Sequence, residues 1–139
     1  MKYAVRYYTK TGNTEKLALK AAEILGTEAC TTEIPLEEPV EILFLGSSVY
    51  AAGVDESIIR FIRENSSKIG QIVNISTAAL LPSTYKQVSK LAKENGVKMS
   101  EREFHCRGSF AMLHKNHPDE QDLAELGNFI AQFMNEGGF

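Results

Sequence analysis

The chain has 139 residues, of which 43% are hydrophobic and 24% charged, and its formal net charge is −3. This length and balance are typical of one globular domain, which we expect to span residues 1–139. The composition excludes collagen-like and low-complexity chains, and the apolar runs are too short for a membrane span. No Lys/Arg run marks a nucleic-acid or membrane surface, the start lacks a signal-peptide pattern, and two cysteines make no disulfide framework, so we expect a cytoplasmic protein without nucleic-acid or membrane partners.

Segments with strand character alternate with segments of helical period along the chain. In chain order, the sequence predicts a strand over 2–8, a helix over 13–25, a weak strand over 28–34, a strand over 40–46, a helix over 55–64, a strand over 71–76, a helix over 82–96, a strand within 97–108, and a helix from Pro118 onward. The segments 40–46 and 71–76 are mostly apolar, which is typical of strands covered on both faces.

Particular residues predict further details of these helices and strands. Pro82 is predicted at the first position of the third helix, where its missing N–H is harmless. Arg6 stands inside a predicted central strand, so its charge must be paired or must reach the sheet edge. Helical spacing predicts that the inner face of the last helix is formed by Leu123, Leu126, Ile130, Phe133 and Met134.

Five strands alternating with four helices predict an α/β protein, with a parallel sheet covered by helices on both faces. In such folds, ligands bind at the carboxyl ends of the strands. Function is therefore expected in four segments that follow strands, namely residues 9–14, 46–53, 76–80 and 107–110.

The first of these segments, Thr9-Lys10-Thr11-Gly12-Asn13-Thr14, is the most informative. It brings three hydroxyls, an amide side chain and a glycine to the start of a helix. Backbone N–H groups and the helix dipole attract a phosphate or another anion at such a position. An ordinary capping turn is the alternative, because Ser, Thr and Asn are also common as caps.

This loop resembles the phosphate-binding loop of the flavodoxin family, Ser/Thr-x-Ser/Thr-Gly-Asn-Ser/Thr, with Lys10 in the variable position. The segment Leu45–Ala51 is similar to the family's second loop, which borders the isoalloxazine ring. Phe104–Phe110 and His117–Leu123 resemble the C-terminal portion of short flavodoxin-like domains. The resemblance covers nearly the whole chain.

The resemblance implies a flavodoxin-like, doubly wound three-layer sandwich, with strand order 2-1-3-4-5 and non-covalently bound FMN. It implies that Thr9, Lys10, Thr11, Gly12, Asn13 and Thr14 hold the phosphate. It further implies that Ser47, Ser48, Val49, Tyr50, Ala51 and Ala52 flank one face of the flavin, and that Thr77, Ala78 and Ala79 lie near its pyrimidine edge. Tyr50 is the candidate for stacking on the ring.

The same loops lack the features of other proteins with this architecture. A response regulator requires acidic residues in the first loop, and a low-molecular-weight phosphatase requires a cysteine nucleophile there. Residues 9–14 contain neither. No Walker A pattern occurs. The residues His105, Cys106, His114 and His117 do not have the spacing of a standard zinc site, so we expect no metal, and Cys106 is predicted to be a buried inert thiol.

The chain departs from typical flavodoxins because it contains no Trp and its third loop offers no aromatic residue. One flavin face would then be open to a substrate or a partner. The leading prediction is an electron-transfer protein, a monomer or weak dimer, that shuttles electrons between redox partner proteins and needs no catalytic side chain. The alternatives are an FMN-dependent NAD(P)H or quinone oxidoreductase acting on a small redox substrate, and a module that kept this fold without binding flavin.

Overall fold

A computed structural model describes residues 2–9, 12–48, 54–77, 84–106 and 118–136, and the structural statements below concern these residues. In chain order the elements are β1 (Tyr3–Tyr7), α1 (Asn13–Leu25), β2 (Ala29–Thr31), β3 (Val40–Ser48), α2 (Glu56–Asn65), β4 (Ile69–Thr77), α3 (Tyr85–Glu94), β5 (Lys98–Cys106) and α4 (Glu120–Asn135). None of the helices within these ranges is long and apolar enough to cross a membrane.

The five strands form one parallel sheet in the order β2-β1-β3-β4-β5. This order confirms the predicted doubly wound, flavodoxin-like α/β fold. The central strand β3 pairs with β1 on one side and β4 on the other. At the edge, β2 has only three residues, of which Ala29 and Cys30 are partly buried and Thr31 is exposed.

Two apolar cores lie on opposite faces of the sheet because successive strand residues point to opposite sides. On one face, Val5 and Phe44 pack with Leu17 of α1 and with Leu126 and Phe133 of α4; we call this the α1 face. On the opposite α3 face, the core consists largely of Leu43, Leu45, Ile72, Ile62 of α2, and Val88 of α3. Each such fully buried side chain contributes about 1.5–3 kcal/mol, so the two cores hold the sheet between its helices.

Predicted details of the last two helices differ from the structure, and α4 begins at Glu120 instead of Pro118, with Asp119 as its N-cap. Helix α3 begins at Tyr85 with Thr84 at its N-cap, and Pro82 lies outside the described residues. The prediction that Met134 faces inward is wrong, since it is 39% exposed. Met134 lies about 80° around the helix axis from Leu126, at the margin of the apolar stripe, and in the last turn of α4.

The charge of Arg6 is accommodated inside the fold by main-chain oxygens. Its guanidinium donates to the carbonyls of Ile34 at 2.8 Å, Pro35 at 3.1 Å and Val5 at 3.0 Å, and the residue is only 8% exposed. The predicted need for a partner is thus met by the segment that follows β2. Arg6 ties this otherwise irregular segment to the sheet.

Candidate functional site

The turn between β1 and α1 is closed by a side chain from its own beginning. The N–H of Gly12 donates to Thr9 Oγ1 at 2.9 Å, and Gly12 has a φ of 89°, a left-handed conformation that favours glycine. Gly12 is also the N-cap residue of α1, where most helices have a side chain that caps the first turn. Because glycine supplies no such group, the cap position leaves the dipole end of the helix open to an external anion.

The first turn of α1 lies directly against the carboxyl ends of β3 and β4. The hydroxyls of Thr14 and Thr77 share a hydrogen bond of 3.0 Å, and Thr14 is fully buried. A Cβ atom on Gly46 would lie 2.8 Å from Thr14 Cγ2 and 3.0 Å from Tyr7 Cβ. Gly46 therefore allows the close approach that places the start of α1 at this edge of the sheet.

Ser48, the last residue of β3, has a buried hydroxyl beside this turn. It pairs in register with Thr77, and like Gly46 two positions earlier it points to the α1 face. Within the described part of the chain, the buried side-chain atoms without a hydrogen-bond partner are Ser48 Oγ, Ser76 Oγ and Gln87 Oε1. A buried unsatisfied hydroxyl costs about 1–3 kcal/mol, so Ser48 Oγ is poised for a ligand group that completes its hydrogen bonding.

On the α3 face, polar side chains bond to one another. Ser47 Oγ donates to Asn74 Oδ1 at 3.3 Å, and Asn74 Nδ2 donates to Thr84 Oγ1 at 2.8 Å. Ser47 and Thr84 are 2.8 Å apart, so the Thr84 hydroxyl donates to Ser47 and closes a ring of three hydrogen bonds. All three residues are fully buried. This ring anchors the start of α3 to the carboxyl ends of β3 and β4.

The predicted site residues that the structure describes lie at one edge of the sheet. Gly12, Asn13 and Thr14 start α1, Thr9 closes the turn before it, and Ser48 and Thr77 end neighbouring strands. Ser47 lies there too, with its hydroxyl on the opposite face. The remaining predicted site residues lie outside the described ranges: Lys10, Thr11, Val49, Tyr50, Ala51, Ala52, Ala78 and Ala79.

Two pairs of residues at this edge were not predicted from the sequence. The pair Asn74 and Thr84 organises the α3 face, and the amide of Asn74 inside the mostly apolar strand 71–76 was its only signal in the sequence. The second pair is Tyr7 and Glu15, in which the tyrosine hydroxyl donates to Glu15 Oε2 at 2.8 Å. Burial, followed by the hydrogen bond and charge of Glu15, raises the pKa of Tyr7 to about 12, so the phenol stays protonated and donates throughout the physiological range.

Cys106 ends β5 as a half-buried free thiol. Burial, and then the carboxylates of Asp122, Asp119 and Glu125, raise the pKa of this thiol to about 12. The thiolate fraction at pH 8 is therefore very small, and it grows only as the pH rises. We expect native protein treated with iodoacetamide at pH 8 to keep Cys106 unmodified, by mass spectrometry, and unfolded protein to be modified there. Modification at similar rates in both states would contradict this environment.

The arrangement at this edge suits a phosphate group. An anion there would meet the open start of α1 and the unpaired hydroxyl of Ser48, and these two features come from separate elements. Described residues thus fit the phosphate of FMN, whose site in doubly wound folds lies at the carboxyl ends of the strands.

The sheet order defines a flavodoxin-like fold, and comparison with solved structures agrees. An archaeal flavodoxin is 15% identical, covers 100% of both chains and has a TM-score of 0.75. Oxidised flavodoxin 1 from Bacillus cereus is 16% identical over 97% of this chain and 98% of that chain, with a TM-score of 0.73. A mutant flavodoxin from Fusobacterium nucleatum, which has FMN bound, is 13% identical over 98% of this chain and 97% of that chain, with a TM-score of 0.66.

At such low identity the likeness establishes a shared fold. No protein-family model matches the sequence, and comparison with curated proteins finds no relative.

Proposed function

We propose that this protein binds FMN without a covalent link and transfers electrons between redox partner proteins. The observation that carries the proposal is the unpaired, buried hydroxyl of Ser48 beside the open start of α1. The flavodoxin-like fold supports it, as does the FMN bound by the mutant flavodoxin from Fusobacterium nucleatum.

In this proposal, each part of the site has a separate task. The segment Thr9–Thr14 holds the phosphate through backbone N–H groups and hydroxyls, and Ser48 donates a further hydrogen bond. Of the segment 47–52, predicted to flank one face of the ring, Ser48 is assigned here to the phosphate, and the hydroxyl of Ser47 is bonded on the α3 face. Residues 49–52 keep the predicted role, and residues 77–79 lie near the edge of the ring. Bound FMN would supply the capacity to accept and release electrons, and the surrounding protein would tune its potential. The Thr14–Thr77 hydrogen bond keeps the phosphate segment fixed to the sheet.

Flavin binding and electron transfer are tested in sequence on the purified protein. Titration of the apoprotein with FMN should quench flavin fluorescence and yield a stable yellow complex. Anaerobic reductive titration of that complex should resolve two separate one-electron midpoints, as expected of a carrier. Rapid NAD(P)H or quinone turnover by the protein alone would favour the oxidoreductase instead. If the protein does not bind FMN, the remaining hypothesis is a module that kept this fold without binding flavin.

Ser48→Ala should weaken FMN binding about tenfold, because one hydrogen bond to a charged phosphate is lost. Riboflavin, which lacks the phosphate, should bind the variant and the wild type equally well. The apoprotein should be as stable as wild type or slightly more stable, since the variant removes a buried hydroxyl without a partner. Fluorescence titrations with both flavins and urea unfolding of the apoprotein give these quantities.

Ser76→Ala is the matched control. Ser76 also has a buried hydroxyl without a partner, but it pairs in register with Ser47 and therefore points to the α3 face. The same atom is removed in both variants, so Ser76→Ala should leave the FMN to riboflavin preference unchanged. Equal losses of FMN affinity in the two variants would refute the assignment of Ser48 to the phosphate.

A further inference from the structure

Glu15 occupies a position from which it should cap its own helix. It is the third residue of α1, counted from the N-cap Gly12, and a glutamate there commonly reaches back to the N-cap N–H. Here the N–H of Gly12 donates to Thr9 Oγ1 at 2.9 Å instead. The Glu15 carboxylate accepts from the hydroxyl of Tyr7 at 2.8 Å.

A free carboxylate at this position would interfere with phosphate binding in two ways. It would compete for the first-turn N–H groups of α1, and its negative charge would repel the phosphate. The ion pairs among the described residues do not include Glu15, so no described cation offsets its charge. The Tyr7 hydroxyl is the group that holds it.

Tyr7 is itself fixed in place. It is 7% exposed in the core of the α1 face, and its Cβ lies against Gly46. Its hydroxyl therefore has a defined position relative to the start of α1, whereas a glutamate in the first turn of a helix ordinarily moves among several rotamers.

We propose that Tyr7 is a positioning residue for flavin specificity: by holding the Glu15 carboxylate, it keeps the start of α1 free for a phosphate and so favours FMN over riboflavin. This role rests on the proposed function, because it acts on the phosphate of that same ligand. A merely structural role for the Tyr7–Glu15 bond would affect both flavins alike.

Tyr7→Phe should lower the FMN to riboflavin affinity ratio about five- to tenfold, because the released Glu15 carboxylate competes with the phosphate at the helix start and repels it. In a Glu15→Gln background, the same Tyr7→Phe change should lower the ratio much less, because the released amide carries no charge to repel the phosphate. The loss should also shrink as salt is raised from 0.05 to about 0.5 M, since exposed charges are screened. Fluorescence titration of the apoproteins gives every ratio.

Glu15→Asp provides a second variant that leaves the core untouched, for the case in which Tyr7→Phe does not fold. The shorter side chain should no longer reach the Tyr7 hydroxyl, so its charge stays near the first turn and the ratio should again fall. Parallel losses for both flavins, or a Tyr7→Phe loss that is equally large with Gln at position 15, would overturn the role of Tyr7 and leave the proposed function intact. Failure of the wild type to bind FMN would overturn both.

Discussion

Gly46→Ala is expected to destabilise the protein by about 2–3 kcal/mol and to weaken FMN binding by at least about tenfold. The added methyl would lie 2.8 Å from Thr14 Cγ2 and 3.0 Å from Tyr7 Cβ, and both neighbours are buried. Thr14 cannot move aside without shifting the start of α1 from the sheet, and Tyr7 Cβ is held by the paired strand β1. Urea unfolding of the apoprotein measures the stability. FMN titration measures the affinity, which should fall if the phosphate segment is displaced.

Two further variants separate a local effect from a general one. Adding Thr14→Ser to Gly46→Ala removes the methyl closest to the new Cβ but keeps the hydroxyl that bonds Thr77, so part of the stability and affinity should return. Gly70→Ala would place a Cβ against the main-chain oxygen of Glu41, at the amino ends of β3 and β4. It should destabilise the fold while the folded fraction binds FMN normally. Equal losses of FMN affinity in Gly46→Ala and Gly70→Ala would contradict a specific role for Gly46.

The sequence predicted the architecture well because the central strands are buried on both faces. The segments 40–46 and 71–76 are mostly apolar, and the structure extends them only to Val40–Ser48 and Ile69–Thr77. Positions at the ends of elements and at the margins of their apolar faces were less predictable, because the spacing of apolar residues does not show where the packed surface ends. Met134 has the spacing of an inward residue, yet it lies at the margin of the stripe and faces solvent.

The candidate site also has a local part that could be predicted from the sequence and long-range contacts that could not. The motif Thr9–Thr14 could be predicted from the sequence because its proposed role depends on adjacent residues in one turn. The bond between Thr14 and Thr77 joins residues 63 positions apart, and the contact of Ser47 with Thr84 spans 37. Such pairs depend on strand register and on the path of the crossover helices. The spacing of apolar residues along the sequence determines neither of them.

Two residues nevertheless gave a sequence signal that can be interpreted in retrospect. Asn74 interrupts a buried strand, and a buried amide requires partners, which Ser47 and Thr84 provide. Gly46 ends an apolar run where a strand ordinarily prefers a branched residue, and the structure uses the missing side chain for the start of α1.

Arg6→Met is expected to cost about 2–4 kcal/mol of stability, because the charged hydrogen bonds to Ile34 and Pro35 are lost and their carbonyls lie partly buried. Arg6→Lys should recover only part of this loss, because one compact ammonium cannot donate to several separate carbonyls as the planar guanidinium does. Lys2→Met is the control: its ion pair with Glu38 is 57% and 63% exposed, so urea unfolding should detect almost no change. Arg6 lies on the α3 side of β1, away from the start of α1, so the FMN to riboflavin ratio should be unaffected. Unchanged stability in Arg6→Met would show that the three carbonyls do not depend on this side chain.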